Sequence, residues 1–119
     1  MIATAAMAAA ALVSGSGLNC ALGFDALDAQ MKGSPKIAPY TSGDPLLATY
    51  NDSASLSLYV ITLPGHAAHP TIAKRKINGM GPGMTVDTSA CGYGDPAAFE
   101  RLLQHIEILN AGVRKSFGG

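Results

Sequence analysis

The stretch from Asp95 to Leu109 constrains this chain more than any other part of it. Asp95 is a natural N-cap, because its carboxylate can accept the free N–H groups of a first helical turn. Pro96 suits the first helical position, where its missing N–H costs nothing. Phe99, Leu102, Leu103, Ile106 and Leu109 then fall at helical spacing and form one apolar stripe. Glu100 lies near the positive end of that helix and Arg114 and Lys115 near the negative end, as the macrodipole prefers. Gly112 is the expected stop. A helix that is apolar along one side must lay that side on something else, so the rest of the chain has to supply an apolar surface.

That surface is predicted to be a sheet. In Ser55–Leu63, Leu56, Leu58 and Val60 alternate with Ser55, Ser57 and Tyr59, after which the run from Val60 becomes nearly all apolar. The first half therefore reads as half-buried and the second as buried on both faces. Pro64 and Pro70 bound a loop, since neither can donate to a central ladder. Thr71–Asn78 alternates Ile72, Lys74 and Lys76 against Ala73, Arg75 and Ile77, which predicts an exposed or edge strand whose lysines discourage stray pairing. Gly79–Gly83 is a turn, and Met84–Thr88 reads as a further short strand. The expected fold class is α+β: a small antiparallel sheet of three strands with the C-terminal helix packed on one face.

Upstream the signals weaken. Phe24, Leu27 and Met31 share one side of a short amphipathic helix, ended by Gly33-Ser34-Pro35. Lys32–Asp44 carries prolines, glycines and hydroxyls and reads as a linker. Leu46–Tyr50 is either a helical turn opened by Asp44-Pro45 or an edge strand, which would be the fourth. Asn51-Asp52-Ser53 is turn chemistry. The expected organisation is a leader over 1–20, a poorly structured segment with one short helix over 21–53, and the α+β domain over 54–119.

The leader is expected because Met1–Val13 is almost wholly apolar and Ser14-Gly15-Ser16-Gly17 follows it. That length suits a signal-peptide core of about 7–15 residues and falls short of the ~20 needed to span a bilayer. Against this, no Lys or Arg precedes Lys32. The expected location is the periplasm or the medium, with no transmembrane span. Cys20 lacks a lipoprotein context, with Gly17 and Asn19 where Leu and a small residue are wanted. Two cysteines, Cys20 and Cys91, allow one bridge in an oxidising compartment; two unpaired thiols is the reading favoured.

Composition narrows the function classes. The formal net charge is zero and 13% of residues are charged, so no global field attracts nucleic acid. There is no Trp and aromatics are few, which disfavours a base-stacking platform. Lys74-Arg75-Lys76 is the one basic cluster. It reads as a solvated edge, with phosphate or anionic-lipid contact as the alternative. The Gly-rich strings at 79–83 and 92–94 match no phosphate loop.

The distinctive string is Pro64-Gly65-His66-Ala67-Ala68-His69-Pro70. Two imidazoles three residues apart can begin a zinc site if a third ligand joins them, with Cys91, Asp87, Asp95 and His105 as candidates. The blander reading is a rigid strand connection whose rings hydrogen-bond to nearby backbone. Leu58–Arg75 resembles a segment, Tyr-hydrophobic-Thr-x-Pro-Gly-His-Pro-Ala-His-Pro, of small uncharacterised exported proteins of alphaproteobacteria, with Ala67 where that pattern has Pro. The resemblance implies export and the loop's identity, and transfers no catalytic residue. The expected function is a small exported binding or accessory module of the cell envelope without a cofactor, in which His66 and His69 meet a protein or peptide partner. The alternative is a zinc-dependent hydrolase with His66, His69 and Cys91 as ligands.

Overall fold

The computed structural model describes residues 17–79 and 81–117; the expected leader core, Met1–Val13, lies outside them. Five strands form one antiparallel sheet: β1 (Ile37–Tyr40), β2 (Leu47–Asp52), β3 (Ser57–Thr62), β4 (Thr71–Asn78) and β5 (Thr85–Gly92). Their order in the sheet is their order in the chain. Helix α1 (Phe24–Lys32) lies on one face and α2 (Pro96–Phe117) on the other. The class expected from the sequence holds, but the sheet has five strands rather than three or four.

Both extra strands come from the segment expected to be poorly structured. Pro39 made residues 37–40 look like linker, yet β1 is an edge strand, paired only with β2, where a missing donor is tolerated. Asn51 and Asp52 looked like a turn, and are instead the end of β2, opposite Leu58 and Ser57. The turn follows one step later. There Asp52 Oδ1 accepts the Ala54 N–H at 3.0 Å and Leu56 takes a left-handed φ of 53° at the exposed tip. The Thr71–Asn78 strand is also corrected. It is interior, hydrogen-bonded to β3 on one side and β5 on the other.

Strand alternation assigns the two faces. Tyr59, Ile61, Ile72 and Cys91 point toward α1 and pack with Leu27 and Met31. Cys91 is bridged to Cys20 across a Cα–Cα distance of 5.4 Å, so the expectation of free thiols is corrected. The short 3-10 turn Cys20–Leu22, capped by the Asn19 side chain, brings Cys20 beside β5.

On the other face, Val60, Ala73 and Ala90 form a row opposite one another in register and meet Phe99, Leu102 and Ile106 of α2. Asp95 caps α2 as expected, with Oδ2 accepting the Ala98 N–H at 2.9 Å. The helix does not stop at Gly112, which it passes while exposed; it continues to Phe117. Ala73, Ala90 and Gly92 are small, and this is why α2 settles over β4 and β5. A Cβ on Gly92 would run into the Phe99 ring. Because the helix lies over that half, the described residues leave the α2-side face of β1, β2 and β3 partly uncovered.

Candidate ligand-binding groove

Two places hold polar groups in close quarters: the His66–His69 loop and the uncovered half of the α2 face. The loop links β3 to β4 and is tied down along its length. Backbone bonds run from His66 N–H to Leu63 O and from His69 N–H to His66 O, each at 3.0 Å. The Thr62 hydroxyl oxygen accepts the Thr71 N–H at 2.8 Å. His69 Nδ1 lies 3.1 Å from the Thr62 carbonyl and 2.9 Å from the Thr62 hydroxyl. A carbonyl only accepts, so the tautomer protonated at Nδ1 satisfies both contacts. His66 Nδ1 accepts the Ala68 N–H at 2.9 Å.

The two rings then diverge. His69 meets Phe24 of α1 edge-on, with ring centroids 5.4 Å apart. His66 lines a small hollow of about 220 Å³ on the α2 side, with Asp44, Arg101 and His105. The third ligand of the zinc reading, Cys91, is half of a disulfide and has no thiolate to offer. Among the described residues no group of three or more His, Cys, Asp or Glu side chains converges.

The uncovered half of the α2 face is a groove of about 870 Å³. One wall is the stripe His105, Leu109 and Val113 along α2. The other is Tyr40 with the loop from Thr41 to Asp44. The floor carries Leu47, Leu58, Val60 and Ile77, with Thr49 and Asn51 of β2 and Arg75 of β4 as its polar members.

Strand alternation places Arg75 on the face opposite Lys74 and Lys76, and that face is the one α2 covers. The Lys74-Arg75-Lys76 cluster is therefore not a uniformly solvated edge. Arg75 is only 3% exposed. Its Nε donates to Asn110 Oδ1 of α2 at 2.7 Å. Asn110, itself fully buried, donates its Nδ2 to Thr88 Oγ1 at 2.8 Å, and Thr88 is the β5 partner of Arg75. The chain Arg75–Asn110–Thr88 thus ties β4, α2 and β5 together. Tyr40 lines the same groove on its other wall.

The electrostatics of this group are one-sided. Burial pushes the Arg75 pKa down, and the Tyr40 contact partly opposes that shift. An arginine keeps its proton at neutral pH all the same. Its side-chain hydrogen-bond partner among the described residues is an uncharged amide. Among the described residues the one ion pair is Asp28–Lys32, on α1. A positive charge withdrawn from water and met only by neutral dipoles costs several kcal/mol relative to one with an anionic partner. The groove leaves room for such a partner.

The sequence marked the histidines because their spacing is unusual, and passed over Arg75 because its neighbours are lysines. Period-2 alternation did separate Arg75 from Lys74 and Lys76. What it could not supply was which face would be roofed. No protein-family model, curated protein or solved structure matches this chain.

Proposed function

We propose that this chain is an exported binding module of the cell envelope and that its ligand site is the Arg75 groove. One observation carries the reading: a buried guanidinium, in no ion pair among the described residues, on the floor of an open and mostly apolar groove. Small-molecule sites typically occupy about 300–1,000 Å³ and combine apolar walls with a few placed polar groups. The groove has that size and that make-up. The ligand class that suits it is apolar over most of its surface and carries one negative charge.

Export is supported by the Cys20–Cys91 bridge, because structural disulfides persist in oxidising compartments. The bridge also limits where a leader can be cut. Cys20 must stay in the mature chain, and Leu18 is already engaged, its N–H bonded to Ser89 Oγ at 3.1 Å. Cleavage therefore falls ahead of Leu18. Mass spectrometry of the exported protein should give an N-terminus near Gly17; a chain beginning after Cys20, or retaining Met1, would refute this.

The groove reading is tested by titrating isotope-labelled mature protein with anilinonaphthalene sulfonate, an apolar monoanion. One saturable equivalent should shift the resonances of Arg75 Nε–H, Tyr40, Leu109 and Val113 while thermal unfolding stays cooperative. Shifts centred on His66–His69 or on α1, or no saturation, would overturn it.

A further inference from the structure

The groove's buried positive charge and its shape say more about the ligand than that it is an apolar anion. We infer that the site is built for a single-chain carboxylic acid, its carboxylate on Arg75 and its acyl chain along Leu58, Ile77, Leu109 and Val113; this rests on the groove being the ligand site.

Charge count comes first. Among the described residues Arg75 is the only cation on the floor, and Arg101 and His105 stand at the rim near the Asp44 carboxylate. One buried positive charge balances one negative charge. A phosphomonoester, close to a dianion at neutral pH, would leave negative charge buried and uncompensated.

Geometry comes second. Asn110 holds Nε, so the guanidinium offers the groove its terminal Nη edge. A planar pair of N–H donors matches the two oxygens of a carboxylate. Tyr40, on the exposed lip of the same groove, carries a phenol that can donate to a carboxylate oxygen.

The walls come third. Beyond Arg75 the groove runs between Ile77 on the sheet and Leu109 and Val113 on α2, and these apolar side chains carry no further polar demand. A flexible chain can follow such a channel. Its capacity, about 870 Å³, is on the scale of one drug-sized ligand rather than a two-chain lipid.

The experiment is calorimetric titration of the mature protein with octanoate, decanoate and dodecanoate, and with dodecanol and dodecyl phosphate, all below their aggregation limits. The acids should bind at one equivalent, each added methylene tightening binding about fourfold, the ratio that ~0.8 kcal/mol per buried methylene gives. Dodecanol and dodecyl phosphate should bind at least tenfold more weakly than dodecanoate. Arg75→Gln should erase the preference for dodecanoate over dodecanol. Leu109→Glu is a second variant on a helix position 38% exposed, so it does not depend on folding around an altered core. It should weaken dodecanoate at least tenfold, by placing a negative charge on the chain path.

Equal binding of dodecanol and dodecanoate, or no change in either variant, would show that Arg75 is only an anchor for α2 and would overturn the inference. Preference for dodecyl phosphate would replace the carboxylate with a phosphate ligand. If no straight-chain acid binds while anilinonaphthalene sulfonate still does, the chain inference fails and the groove reading survives.

Discussion

The His66–His69 loop and the Arg75 groove meet around Asp44, Leu47 and His105, and they treat polar groups in opposite ways. In the loop, imidazole nitrogens, a threonine hydroxyl and backbone amides satisfy one another within a few residues. In the groove, a full positive charge is held by an asparagine from a helix 35 residues away in sequence, and it makes no ion pair among the described residues. A conspicuous motif can therefore be self-sufficient, while an inconspicuous residue is left needing a partner. Binding sites are more often of the second kind, because a group already satisfied gains little from a ligand.

The largest expected effect separates the two faces of the sheet. Replacing both Cys20 and Cys91 with Ser should lower unfolding free energy by roughly 4 kcal/mol in the chain-entropy account, given a sequence separation of 71. Urea unfolding measures it. Binding of anilinonaphthalene sulfonate to the remaining folded protein should not change, since the bridge lies on the α1 face; a parallel loss of binding would break the distinction between faces.

Asn110→Ala should come next, at about 3 kcal/mol, because it strips the buried charge of its hydrogen-bond acceptor. Adding Arg75→Met to it should restore most of the loss, as replacing a whole buried polar group often does. A double variant as unstable as the single one would mean that Asn110 acts through packing and that the charge is not under strain.

On the loop side, Thr62→Val should cost about 2 kcal/mol by leaving the Thr71 N–H without its acceptor. His66→Ala should be the mildest, at about 1 kcal/mol, because the acceptor it removes from the Ala68 N–H lies in a half-buried position that water can partly replace. It should leave anilinonaphthalene sulfonate binding intact. A large drop in that binding would move the site toward the hollow lined by His66, Arg101 and His105.

Much of the fold was legible because its signals are local. The Asp95-Pro96 start of α2 is written in two residues, and the Phe99–Ile106 stripe needs only helical spacing to be seen. Leu109 shares the stripe yet remains 38% exposed, because the sheet beneath it is not reached. The Thr71–Asn78 alternation gave the strand's limits correctly. Its lysines suggested an edge, but Lys74 and Lys76 sit on the face opposite α2 while the backbone pairs with β3 on one side and β5 on the other. Asp52 shows why the N-terminal half was misjudged. Its side chain opens a turn while its backbone still belongs to β2, and composition reports only the side chain.

By itself, then, the sequence determined the start of α2, the limits of β4 and which residues of β3, β4 and α2 share a face, since capping, proline restriction and side-chain period all act within a few residues. The tertiary structure alone decided that Cys20 meets Cys91, that β1 and β2 join the sheet, and that α2 stops short of covering them. The reason is that small residues at Ala73, Ala90 and Gly92 draw the helix to one side. That offset turned Arg75 from one member of a basic cluster into the single charge on the floor of a groove.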